Sequence, residues 1–269
     1  MSKFYDTFHS RVNKLFEKAN ELDKPLRDDV TWAIGLLNGR NDYADSQCHI
    51  LALVASIIIN EPVVPKIVCA WDTWKEENPP KIKDSKYLSV CKSPFGTVWP
   101  DKFSAGYRAK YLGLNVVKTP YGIMSDLDTI CVKPCVDKYM DKVKENPDVF
   151  CWTNYMDKKN INSGFVVFNM DKYFRYYLPA IMRNYWTLPM KDSQFIKHLQ
   201  KNGLKEKLTI SVVRDKSFIA EKFWWSEKRN DEFDEKTSIY HAWKGDVKRG
   251  EDEFYEFYDG ILKNLERNS

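Results

Sequence analysis

Two carboxylates one residue apart, Asp126 and Asp128, follow the apolar run Gly122-Ile123-Met124 in the stretch YGIMSDLDTICVKP. A strand through this run would alternate faces with period 2, sending both aspartates to one side and Leu127 to the other. Two carboxylates at a strand end make an oxygen-rich corner suited to a hard cation such as Mg²⁺ or Mn²⁺, shared with an anionic ligand such as a diphosphate. An exposed acidic turn is the competing reading of the same residues. This is the one strict Asp-x-Asp in the chain.

The elements that position such a corner can be read from the flanking sequence. Val30 to Leu37 is an apolar run closed by Asn38-Gly39, as expected of a buried strand. A helix capped by Asp45 or Ser46 and running to Ile59 is expected next. Pro65 to Asp72 reads as a second strand ending in an acid, and Tyr87 to Cys91 as a third. Phe103 to Leu114 reads as a helix carrying Arg108 and Lys110. Strands alternating with helices predict an α/β domain, Rossmann-like, with a central, mainly parallel mixed sheet flanked by helices. Ligands collect at the carboxyl ends of strands in such sheets, where Asn38, Asp72, Asp126 and Asp128 all fall.

In the second half, Phe150 to Thr153 and Gly164 to Asn169 read as strands, the latter preceded by the polar turn Asn162-Ser163. Phe174 to Trp186 and Asp192 to Asn202 read as helices, with a kink at Pro179. A short strand, Ile239 to Trp243, leads to Lys244 and Lys248. Amphipathic helices are expected at Phe4 to Leu22 and at 251–265. The organisation expected is an N-terminal helix (1–24) packed on one domain (25–269). That domain divides into a first half of about 30–135, a second half of about 145–250 and the C-terminal helix.

At 269 residues, with 43% hydrophobic and 30% charged residues, the chain can bury a sizeable core. The longest apolar run, Ile50 to Ile59, is too short to cross a bilayer, so membrane insertion is not expected. The N-terminus lacks a signal-peptide core, and the six cysteines form no CxxC pair and no zinc spacing. Reduced thiols and a cytoplasmic setting, host cytoplasm if the chain is viral, are the expectation. A net charge of +4 permits a phosphate-bearing partner without demanding one.

The order of these motifs resembles the metal-dependent nucleotide-sugar glycosyltransferases of the GT-A fold. VTWAIGLLNGR followed by a helix and KIVCAWD is similar to their nucleotide-binding half. MSDLDTICVKP is similar to their DxD segment, NSGFVVFNM to the strand that follows it, and YHAWKGDVK to their late His and Lys. In the late segment Gly245 stands one residue further on than in glycogenin-like members, and Arg249-Gly250 replace a Pro-Trp.

The resemblance implies roles for particular residues. Asp128 would contact the metal most directly, Asp126 the metal and the donor ribose, and His241 would be a third ligand. Asn38, Asp72 and Arg108 would line the donor site, with Asp72 on the base or ribose. Asn162, Ser163 and Gly164 would lie beside the donor sugar, and Lys244 or Lys248 would neutralise phosphate charge. Asp192 would serve as the base for the acceptor hydroxyl in an inverting enzyme, or orient the sugar in a retaining one. The implied donor is a nucleotide diphosphate sugar, a UDP-sugar first of all. The acceptor stays open among a glycan, a lipid-linked sugar, a protein and a hydroxymethylated base in DNA, the last as in bacteriophage DNA-modifying members. The DNA reading expects a basic aromatic face including Lys222, Trp224, Trp225, Lys228 and Arg229. Two other classes share the scaffold: a sugar nucleotidyltransferase, whose Gly-rich basic loop Leu36 to Arg40 does not supply, and a binding module without turnover.

Overall fold

The computed structural model describes residues 3–38, 43–73, 79–94, 109–146, 148–149, 151–155, 161–179, 210–212, 219–221, 238–241, 259–260 and 262–267. It begins with helix α1 (Lys3–Glu21), strand β1 (Leu26–Asn38) and helix α2 (Tyr43–Asn60). Strands β2 (Val64–Thr73) and β3 (Leu88–Lys92) follow, then the short helix α3 (Tyr111–Leu114). Strands β4 (Tyr121–Ser125) and β5 (Thr129–Cys131) lead to helix α4 (Val136–Glu145). Strands β6 (Cys151–Tyr155) and β7 (Ile161–Asn169) pass into the helical turn α5 (Met170–Lys172) and a π-helical turn, Tyr173–Tyr177. Three short strands complete the described elements: β8 (Ile210–Val212), β9 (Ile219–Glu221) and β10 (Ile239–His241).

Seven strands form one sheet in the order β3-β2-β1-β4-β7-β6-β8. Strands β3, β2, β1 and β4 are mutually parallel, β7 runs antiparallel to both β4 and β6, and β8 is parallel to β6. The α/β fold with a mainly parallel mixed sheet is therefore as expected. A second sheet, β5-β10-β9, stands at the carboxyl end of β4.

The central strand is apolar on both faces because both are covered. Val30, Trp32, Ile34 and Leu36 face the side of α1 and α2, while Ala33 and Leu37 face the side of α3 and the π turn. Helix α2 is apolar nearly all round, with Ile50, Leu53, Val54, Ile57 and Ile58 all fully buried. It lies under α1, whose Phe8, Val12, Leu15 and Ala19 are buried at helical spacing. Arg11 of α1 also pairs with Asp259 and Glu266 of the C-terminal helical residues, so both chain ends pack on this face.

Several boundaries differ from the sequence reading. Helix α2 starts at Tyr43, so Asp45 and Ser46 are inside it and not its cap. Asn162-Ser163 is not a turn: β7 begins at Ile161, and Asn162 pairs with Asn154 past an irregularity in the β6 register. Of the helix expected over Phe103 to Leu114, the described part is α3; Arg108 lies outside the described residues. So do Asp192, Lys244, Lys248 and the expected basic aromatic face at 222–229. All six cysteines are free, and all but Cys91 are buried. No helix among the described residues is long and apolar enough to cross a membrane.

One carboxylate is built into the floor of this fold. Glu61, 1% exposed, accepts hydrogen bonds from the backbone N–H of Cys135 (2.8 Å) and Val136 (3.2 Å), capping α4. Burial pushes its carboxyl above the ordinary value of 4.5, and the two N–H donors oppose that shift without cancelling it. The folded state then holds the proton more tightly than the unfolded chain. Its contribution is fully present below the unfolded value and is lost as pH rises through the folded one. Glu61→Gln keeps an acceptor oxygen for the cap and removes the titration. Titration of Glu61 is expected to lower the wild-type melting temperature as pH rises from about 4.5, and Glu61→Gln to remove that contribution; identical pH dependence in the two proteins would contradict this.

Candidate functional site

The site is assembled where β1 and β4 end side by side. Their parallel pairing runs from Val30↔Tyr121 to Ala33↔Met124, so both strands deliver their carboxyl ends to the same edge. Strand β4 stops at Ser125, and Asp126 to Thr129 form a tight turn closed by Thr129 N–H to Asp126 O (3.4 Å) and Thr129 Oγ1–H to the same oxygen (2.6 Å). The strand alternation expected for the two aspartates is thus replaced by a turn. Both carboxylates leave from that turn, and both residues are half-buried.

This turn is braced on two sides. The Asp126 N–H donates to Gly164 O of β7 (2.9 Å), tying the Asp-x-Asp segment to the Asn-Ser-Gly strand. Behind it, Trp32 Nε1–H donates to Ser125 Oγ (2.9 Å) in the buried core, and the Trp32 ring meets Phe165 edge-on at 5.4 Å. The third approach comes from the small sheet. Strand β10 pairs antiparallel with β5 in a register that sets His241 opposite Thr129, the residue after Asp128. The chain topology therefore brings the backbone of His241 beside the carboxylate turn.

A cation also reaches this turn. Lys110, just before α3, places its Nζ 2.6 Å from Asp126 Oδ1, with only 11% of the lysine side chain exposed. Its segment lies directly on β1. A Cβ on Gly35 would sit 1.7 Å from Ala109 O, and one on Gly113 would sit 2.5 Å from the N and O of Ile34. Only glycines allow this backbone-on-backbone approach. The far side of α3 is held by an aromatic cluster in which the Tyr177 hydroxyl, from the π turn, donates to Tyr111 Oη (2.9 Å). Between these parts is a cavity of about 90 Å³ lined by Gly35, Leu37, Ser46, Lys110, Ser125 and Asp126, among others. Apolar Leu36, Leu37 and Leu127 line it together with the Lys110–Asp126 pair.

Asn38 and Asp72 both stand at the expected edge, paired with Thr73 and Leu37 respectively. Asp72 is 5% exposed and its Oδ1 accepts the N–H of Thr73 (2.8 Å), so part of its acceptor capacity shapes the strand end. Lys110, Gly35, Gly113 and Trp32 are the parts of the site that sequence reading passed over. The signal for the glycines was present: small residues at 35, 109 and 113 on two elements allow close packing.

The oxygen donors Asp126 and Asp128 on one turn suit a hard divalent cation, with the backbone of His241 next in register. Among the described residues there is no group of three His, Cys, Asp or Glu side chains that could hold a metal ion. The carboxylate pair on the turn is the part of such a site that these residues could supply.

No protein-family model matches this sequence, and no curated protein matches it. The fold does match solved structures. An active-site mutant of LgtC superposes with a TM-score of 0.51 at 12% identity, covering 86% of this chain and 95% of LgtC. The bifunctional glycosyltransferase WbbM superposes at 0.56 and 11% identity, over 93% of this chain and 52% of WbbM. GlyE, a glycosyltransferase of Streptococcus pneumoniae, gives 0.51 and 14%, over 88% of this chain and 63% of GlyE. The fold is the one that these three glycosyltransferases share.

Proposed function

We propose that this chain is a glycosyltransferase that moves a sugar from a nucleotide diphosphate sugar, a UDP-sugar first of all, to a hydroxyl acceptor. The observation that carries this reading is one juxtaposition at the end of β4. The Asp126–Asp128 turn, bound to Gly164 of the Asn-Ser-Gly strand, borders a small pocket under β1 that also holds Lys110. LgtC, solved in complex with donor and acceptor sugar analogues, shares the fold.

Breaking the bond between sugar and diphosphate leaves negative charge on the departing oxygen, and the site must stabilise it. Asp126 and Asp128, with His241 as third ligand, would hold a divalent Mn²⁺ or Mg²⁺ ion, which supplies Lewis-acid stabilisation of that diphosphate. Asn38 and Asp72 border the donor at the strand ends. Gly164 and its neighbours Asn162 and Ser163 bring polar backbone close to the sugar. Lys110, which lines the pocket, supplies positive charge there, the role that Arg108 carries in the sequence reading. Asp192 stays the candidate base for the acceptor hydroxyl, and Lys244 and Lys248 the candidates for phosphate charge.

Release of free nucleoside diphosphate from a panel of sugar donors, with and without Mn²⁺, tests the reaction. Metal-dependent release from at least one donor is expected, and none from any donor would overturn the reading. Mass spectrometry of DNA and glycans from cells making the protein then identifies the acceptor. A hexose added to hydroxymethylated bases would select the DNA acceptor, and new glycan masses with unmodified DNA would select a glycan.

A further inference from the structure

The Lys110–Asp126 pair occupies a carboxylate that the proposed reaction needs for a metal. The ammonium lies 2.6 Å from Asp126 Oδ1, and both partners line the cavity at the strand ends. An ammonium and a divalent ion on one carboxylate repel each other strongly at such separations. The backbone of Ala109 and Lys110 is pinned on Gly35, so the conflict cannot be relieved by moving the segment away. The lysine side chain itself has rotatable bonds and three donors that can be redirected to another anion nearby.

Resting on the glycosyltransferase reading, we infer that Lys110 is a placeholder cation that makes metal binding at Asp126 conditional on the donor's diphosphate. Without a diphosphate, Lys110 neutralises Asp126 and weakens its hold on a free divalent ion. With a diphosphate in the pocket, Lys110 has a second anion to turn to, and Asp126 is released to the metal. The coupling must be reciprocal: whatever factor the diphosphate adds to metal affinity, the metal adds to diphosphate affinity. A diphosphate that ligates the metal gives some linkage by itself, so a lysine that merely braced the turn would leave that linkage unchanged when its charge is removed.

The test is a Mn²⁺ titration followed by the paramagnetic resonance signal of free Mn²⁺, with and without uridine diphosphate, on the wild type and on Lys110→Gln. The wild type is expected to bind Mn²⁺ about tenfold more tightly, or better, once uridine diphosphate is present. Lys110→Gln is expected to bind Mn²⁺ alone about tenfold more tightly than the wild type and to gain less from uridine diphosphate. Lys110→Arg, which keeps the charge, should restore the wild-type pattern. Lys110→Met repeats the neutral arm if the glutamine variant does not fold. Equal or weaker Mn²⁺ binding by the neutral variants would overturn the placeholder role while leaving the metal site standing. No Mn²⁺ binding by any of these proteins, with or without uridine diphosphate, would overturn both.

Discussion

Asp128→Ala is expected to reduce metal-dependent release of nucleoside diphosphate by about a hundredfold or more while leaving the fold intact. Removing one element that stabilises developing charge in a transition state typically costs two to three orders of magnitude in rate, about 3–4 kcal/mol. Asp128 is the cleaner of the two aspartates to change. Substitution of Asp126 would remove the carboxylate 2.6 Å from the Lys110 ammonium, whose side chain is only 11% exposed, and would mix a stability loss with a catalytic one. Asp128 is half-buried on the turn itself. The backbone bonds that close the turn run through Asp126 O and Thr129, and the bond to Gly164 runs through Asp126 N, so none uses the Asp128 side chain. The expected stability change is that of an ordinary single substitution, about 1 kcal/mol, visible as a modest shift in melting temperature. Full activity in Asp128→Ala would remove this carboxylate from the mechanism; lost activity together with a collapsed melting transition would show that its role is structural.

The strands that frame this site were legible because each is buried on both faces. Val30 to Leu37 and Gly164 to Asn169 are continuous apolar runs of a length that suits a covered strand, and both proved to be strands. Where the chain leaves the sheet, the pattern weakens. Asp-x-Asp has the same spacing in a strand and in a tight turn, and only the bonds from Thr129 to Asp126 O decide for the turn. Asn162-Ser163 reads as a turn by composition, yet backbone pairing with β6 does not depend on those side chains. Strands β5 and β9 are three residues each, too short to show a period, whereas β10 falls within the strand expected from Ile239 to Trp243 and sets the backbone of His241 opposite Thr129. Helix α4 is different: Val136, Tyr139, Met140 and Val143 carry a clear helical spacing that the sequence reading passed over. Lys110 was named only as a passenger on its helix. Its choice by Asp126 depends on how closely that segment lies on β1, which is a property of Gly35 and Gly113 and not of the lysine.

That dependence gives the second large expected effect: Gly35→Ala should destabilise the protein by about 3 kcal/mol or more and abolish activity with it. Overpacking a well-filled core usually costs about 1–3 kcal/mol, because neighbouring side chains can rotate away. Here the new methyl would lie 1.7 Å from Ala109 O, 2.6 Å from Ala109 C and 2.8 Å from Lys110 Cα, and all three are backbone atoms. Nothing flexible is available to yield, so the whole segment must lift from β1. From the opposite side Gly113 rests 2.5 Å from Ile34 by the same measure, and the bond between Tyr111 and Tyr177 resists the lift on the far face. For a chain of this size, a loss of that order lowers the melting temperature by about 6–12 °C. If the variant relieves the clash by displacing the segment, Lys110 leaves Asp126 and the pocket lining loses its cation. Gly260→Ala provides the comparison, since a Cβ there meets nothing within 4 Å and the position is helical and exposed. It is expected to be neutral or to stabilise by up to about 1 kcal/mol. A Gly35→Ala protein that melts within about 2 °C of the wild type and keeps its activity would show that the Ala109–Leu114 segment does not ride on β1, and that Lys110 is not placed by it.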